Sequence, residues 1–316
     1  MKWTLKEIMA VYHGAYAFEE IADGWLAAYQ YARPQMDYFQ SLGDFSYNRC
    51  MASNAKILDF YTTSNSFSLE YRIIWKGSED SFEVAIDGLI ADIRYVRDLE
   101  DTGCLAFPLP DGNKRVTFYL PADATVFIRN IETDAQIYPA TPGTKVLWLG
   151  DSITQGYGPL RSGATYVSVV QRELGWDIVN QGIGGYVYDA ESLMKMPGYT
   201  PEKIVVAFGT NQYKNKDMTS VCKFYRRLTE IYGEGIPVLC ITPLWRDGAE
   251  EEQIMMREFS AQIKTIVSEY PQIHVVDGFA LVPHRMEYFL DGLHPNALGS
   301  EVYGRNLVKA IGAIHF

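Results

Sequence analysis

The chain has 316 residues, a length that suggests roughly two domains. Hydrophobic residues make up 47% and charged residues 21%, which excludes a disordered, collagen-like or coiled-coil chain. Lys plus Arg number 28 against 39 Asp plus Glu, so the formal net charge is −11. That charge repels phosphate backbones, so no nucleic-acid partner is expected. Neutral and polyhydroxylated ligands stay open.

In chain order, residues 5–12 and 25–31 read as helices, and Arg33-Pro34 breaks the pattern. The apolar run at 8–12 is too short for an export leader and is broken by His13 and Gly14. No stretch nears the ~18–20 apolar residues that would span a bilayer. A cytoplasmic protein with no membrane partner is the expectation. From about 54 to 134 the chain runs in short alternating stretches. Residues 57–61, 67–75, 82–86, 104–109, 115–120 and 125–131 read as strands. Asp87-Gly88 and Asp111-Gly112-Asn113 between them are hairpin signals. This half is expected to be an all-β jelly roll or sandwich over residues 1–140, with a short helical segment at its start. The segment 138–143, with Pro139 and Pro142, reads as a short joint that lets the two halves pack firmly.

After the joint the texture becomes α/β. Five β-branched runs at 145–149, 178–180, 204–208, 238–242 and 274–277 read as strands. Helical patterns at 166–174, 189–195, 218–232, 251–270 and 297–311 separate them. The alternation predicts an α/β domain over 145–316, a five-stranded parallel sheet between two helical layers. Cys50, Cys104, Cys222 and Cys240 form no CxxC pair, so reduced thiols and no zinc site are expected.

Ligands of such sheets bind at the carboxyl ends of the strands. There the sequence places Gly150-Asp151-Ser152-Ile153, Asn180-Gln181-Gly182-Ile183-Gly184-Gly185, Gly209-Thr210-Asn211 and Asp291-Gly292-Leu293-His294. Each segment alone is common. Val187 stands where a dinucleotide loop would want a third glycine, so no nucleotide cofactor is read from the glycines. Together the segments supply a nucleophile candidate in Ser152, a base in His294 and a carboxylate three residues away in Asp291. Asn211, Gly185 and the Ser152 backbone are candidate oxyanion donors. His274, His284 and the run Glu250-Glu251-Glu252 read as structural.

This ordered set resembles the SGNH, or GDSL, hydrolase family over residues 145–316. The resemblance implies Ser152 as nucleophile, His294 as base, Asp291 as its orienter, and Ser152, Gly185 and Asn211 as the oxyanion hole, with Gly182 and Gly184 as alternatives to Gly185. It implies no metal and no cofactor. A β-sandwich ahead of this domain is similar to the two-domain carbohydrate esterases, whose chemistry is removal of acetyl groups from plant polysaccharides. The expectation is a serine acetyl esterase acting on short xylan- or mannan-derived oligosaccharides. Trp245, Tyr157 and Tyr186 are candidate walls of the sugar cleft, with Tyr188 beside them. The other readings are a lipase or thioesterase of the same family, and a non-catalytic glycan-binding protein. The oligomeric state is left open, with a dimer as one option.

Overall fold

Burial alternates residue by residue along the strand Ser66–Trp75, as expected where one face of a sheet is covered. The structure, a computed structural model, describes every residue except Glu79 and Pro142. The part of the joint at Pro142 therefore lies outside the described residues. Ser66–Trp75 belongs to an antiparallel sheet ordered Ala17–Ile21, Trp25–Tyr29, Thr125–Thr133, Ser66–Trp75, Thr102–Pro108. A second antiparallel sheet runs Tyr12–His13, Ile57–Thr62, Lys114–Tyr119, Ser81–Ile86, Leu89–Tyr95, with Ile137–Pro139 also paired to Ile57–Thr62. Side chains of both sheets share one core. At its centre Phe60, Phe67, Phe82, Phe107 and Phe118 meet at ring spacings of 5.4–6.1 Å, in stacked, tilted and edge-on pairs.

The C-terminal half is an α/β fold. Its sheet is parallel and ordered Asp177–Gly182, Lys145–Gly150, Lys203–Ala207, Val238–Ile241, Ile273–Val276. Successive residues of Lys145–Gly150 point into opposite cores. Leu147 and Leu149 meet the helices Thr219–Tyr232 and Glu250–Val267. Val146 and Trp148 meet Tyr166–Leu174 and Ala297–Ala313. Burial on both faces is why these strands read as continuous apolar runs. Among the described residues no helix is long and apolar enough to cross a membrane.

Several local expectations are corrected. Residues 25–31 are not a helix: Trp25–Tyr29 is an inner strand, buried on both faces, so period-2 alternation is absent and its two alanines mislead. Arg33-Pro34 opens the helix Arg33–Ser41, where proline suits the first turn. A further helix, Asp44–Cys50, follows. The stretch at 189–195 forms only the turn Ala190–Ser192; Leu193 and Met196 beyond it enter the core in non-helical backbone, with Pro197 disfavouring helix at the residue before it. Asp87-Gly88 does make a tight turn, with both φ positive (49° and 86°). It leads into Leu89–Tyr95, an edge strand too exposed to show an apolar pattern. Asp111-Gly112-Asn113 is no hairpin: the strands on either side of it lie in different sheets. Tyr138 and Pro139 of the joint belong to a paired strand.

Asp80, 1% exposed, accepts the N–H groups of Ser81 (2.7 Å) and Asp123 (3.1 Å). Burial outweighs those bonds and pushes its carboxyl up to about 7 from 3.8. Between those pH values the folded chain holds a proton that the unfolded chain has released. This contribution to stability is therefore lost as pH rises through the window. Asp80→Asn should show a melting temperature that gains on the wild type as pH increases from about 4 to 7. Parallel melting curves for the two proteins across that range would remove this assignment.

Candidate active site

The strand Lys145–Gly150 ends one residue before Asp151, which caps a short helix, Ser152–Gln155, by accepting the Ile153 N–H (3.1 Å). Ser152 thereby sits in a first helical turn at the carboxyl edge of the sheet. A Cβ on Gly182 would lie 2.4 Å from the Gln155 backbone nitrogen. Only glycine lets the neighbouring strand approach this helix so closely.

Ser152 Oγ lies 2.9 Å from His294 Nε2, and His294 Nδ1 lies 2.8 Å from Asp291 Oδ2. The other carboxylate oxygen, Asp291 Oδ1, accepts the backbone N–H groups of His294 (2.8 Å) and Leu293 (3.1 Å). Partial burial would raise the Asp291 pKa, but the bonds from the His294 and Leu293 N–H groups and the imidazole prevail and hold it below the usual carboxylate value. An ionised Asp291 holds the Nδ1–H and leaves the Nε2 lone pair facing the serine hydroxyl. The Tyr157 ring packs on the imidazole in a T-shaped pair, at 4.6 Å between centroids.

The three glycines of the second segment are not equivalent. Gly182 N–H donates to Asn180 Oδ1 (2.9 Å), and Gly184 N–H donates to Gln155 Oε1 (2.6 Å). Gly185, exposed and at φ +74°, has an N–H with no partner among the described residues. The Ser152 N–H is likewise unengaged there. Asn211 is exposed and its Nδ2 donates to the Tyr186 carbonyl (2.9 Å), which ties the third segment to the second. One of its two amide hydrogens stays open.

The aromatic candidates divide. Trp245 is half-buried, stacked on His284 (5.4 Å, 10° between planes) and packed on Phe289. Its loop is joined to the histidine loop by the Asp247 N–H, which donates to the Gly292 carbonyl (2.7 Å). Tyr186 is wedged between Phe39 and Phe208, and its hydroxyl donates to Asp189, as Tyr38 also does. Tyr188 is 1% exposed inside the core and reaches no cleft.

Four residues here escaped sequence reasoning, three of them from the N-terminal half. Phe45, 59% exposed, would touch a Cβ on Gly185 at 3.4 Å. The Arg49 guanidinium lies 3.6 Å from the Phe45 ring centroid and 5.4 Å from that of Trp75, and its side chain crowds Gly184. Gln155, 1% exposed, donates to Asp123 through Nε2 while accepting from Gly184. Only Gln155 carried any signal, its place one turn after Ser152.

Residues 148–302 match the GDSL-like Lipase/Acylhydrolase family. No curated protein matches the chain. Among solved structures, the fold is similar to a candidate GDSL-like lipase of Bacteroides ovatus (16% identity, TM-score 0.78, covering 100% of this chain and 98% of that one). It is similar to the salicylyl-acyltransferase SsfX3 of a tetracycline biosynthetic pathway (20% identity, TM-score 0.76, 96% and 94%). It also resembles a family two carbohydrate esterase from Clostridium thermocellum in complex with cellohexaose (15% identity, TM-score 0.65, 84% and 94%).

Gln155→Leu removes both amide bonds at once. The expected result is a loss of about 100-fold in kcat on an aryl acetate, the scale of losing one oxyanion donor. KM should move little. An unchanged kcat would show that Gly185 is held without Gln155.

Proposed function

The C-terminal half carries a domain of the GDSL-like lipase/acylhydrolase family, and on that premise we propose that the protein is a serine esterase removing acetyl groups from oligosaccharides. The observation that carries the reading is the unbroken chain of bonds from Ser152 through His294 to Asp291, beside an unengaged Gly185 N–H.

In this reading His294 Nε2 takes the Ser152 proton as Oγ attacks the ester carbonyl. The oxyanion is met by the N–H groups of Ser152 and Gly185 and by the open amide hydrogen of Asn211. Each such donor is worth ~3 kcal/mol of transition-state stabilisation. The imidazolium, held by Asp291, passes its proton to the departing sugar hydroxyl. Water then enters, gives its proton to His294, and releases acetate from Ser152 by the reverse path.

Three observations support a sugar as the alcohol part of the ester. Tyr157 and Phe45 crowd the catalytic segments with aromatic rings, as flat sugar faces favour. Trp245 lies on a loop tied to the histidine loop. A carbohydrate esterase bound to cellohexaose has the same fold. Lipase or thioesterase chemistry predicts instead a preference for octanoate or longer aryl esters over acetate.

Acetate release from acetylated xylo- and manno-oligosaccharides is the direct measurement. The wild type should release it and Ser152→Ala should not, with a loss of at least about 10⁴-fold by the behaviour of triad serines. Aryl acetate hydrolysis without release from either sugar would keep the serine chemistry and discard the carbohydrate substrate. Trp245→Ala should raise KM for the sugar ester more than for the aryl ester. Equal KM values for wild type and variant on both would remove Trp245 from the sugar cleft.

A further inference from the structure

A cleft of about 570 Å³ lies between the antiparallel sheet that contains Ile57–Thr62 and Lys114–Tyr119 and the amino edge of the parallel sheet. Ligand sites commonly hold ~300–1,000 Å³ and favour such seams. Asp177 lines this cleft and opens the six-residue strand that runs to Gly182. At ~3.3 Å per residue, the cleft is about 20 Å from the catalytic edge.

Its arginines are already paired, Arg172 Nη2 donating to Glu301 (3.4 Å). Arg115 Nε and Nη2 donate to the two Asp59 oxygens (2.9 and 2.6 Å), and Asp177 faces His13 Nδ1 at 3.5 Å. Asp87 has no cationic partner among the described residues, whereas the buried groups left without a partner are neutral. Gln171 is 5% exposed on the helix Tyr166–Leu174, and neither its Oε1 nor its Nε2 has a partner among the described residues. His13 Nε2 has none either. A buried amide in that state carries its full desolvation cost until a ligand or water completes it. An anionic ligand would meet the carboxylates of Asp87 and Asp177, and a lipid chain would seal the Arg115–Asp59 pair from water without replacing its hydration. Hydroxyl groups both donate and accept, as an amide requires. Tyr61 and Trp176 add aromatic surface to the lining.

We propose that this cleft is a second carbohydrate-binding site, taking a neutral oligosaccharide away from the ester-cleaving centre. The ligand class rests on the reading of the substrate above, whereas the site rests on the cleft itself. It would hold one stretch of a chain while acetyl groups on another are removed.

The test uses the full chain carrying Ser152→Ala and 5-fluorotryptophan, with the Trp176 ¹⁹F signal assigned through Trp176→Phe. Xylohexaose, cellohexaose and mannohexaose are titrated in turn. The expected result is a saturable shift of the Trp176 signal with at least one of them. Gln171→Leu and, at the exposed strand position, Tyr61→Ala should each weaken that binding at least tenfold. Both should leave aryl acetate kcat/KM within twofold of the wild type. A Trp245 response with no Trp176 response for all three sugars would overturn the site, and so would a Trp176 shift undiminished in both variants. A Trp176 shift in a protein that releases no acetate would uphold the site and remove only the substrate reading.

Discussion

The side chain of Gln155 joins three parts of the molecule that the chain keeps far apart. Its oxygen accepts the Gly184 N–H, its nitrogen donates to Asp123 in the sandwich, and its backbone lies one turn from Ser152. A buried amide that meets partners on both ends has one acceptable orientation. The serine helix and the glycine loop are thereby set relative to each other and to the N-terminal half. Behind them, Asn54 donates to the Gly182 carbonyl (3.2 Å), Gln30 donates to Asn54 (2.8 Å), and Gln181 donates back to the Gln30 carbonyl (2.7 Å). The antiparallel sheets are thus part of the site's framework, and the open Gly185 N–H depends on contacts made from outside the parallel sheet.

Buried charge in this acidic chain is handled in opposite ways according to its neighbours. Asp291 keeps its charge because three N–H groups, two of the backbone and one of the imidazole, point at it. Asp151, one residue from the serine, is 3% exposed and has the Ile153 N–H as its partner, so burial pushes its carboxyl up to about 7. Lys56 is buried as well; desolvation pushes it down to about 7 while its Nζ donates to the carbonyls of Ala28 and Ala52. The carboxylate held below its usual range is the one beside His294. The others cap or tie segments together, and their cost is borne by the fold.

The two edges of the parallel sheet offer different surfaces. The carboxyl edge presents strand-ending loops with open N–H groups, where an anion can develop. The amino edge is roofed by the sandwich, and its seam is lined by the Arg115–Asp59 pair, the carboxylates of Asp87 and Asp177, and buried neutral polar groups. One half of the chain therefore contributes to both places: Phe45, Arg49 and Asp123 at the first, His13, Asp59 and Arg115 at the second.

The sequence by itself determined the α/β pattern, the antiparallel half, and the four segments at the strand ends, because those signals are local. Doubly buried strands read as apolar runs, and Asp291-Gly292-Leu293-His294 spans a distance its own backbone fixes. Tertiary structure decided the rest. Trp25–Tyr29 is a strand only because partners cover both its faces. Leu89–Tyr95 is a strand only because a tight turn returns it to Ser81–Ile86. Gly185 is singled out from Gly182 and Gly184 because Asn180 and Gln155 occupy the other two N–H groups. Phe45 and Arg49 reach the glycine loop across about 140 positions of chain, a juxtaposition that no local pattern encodes.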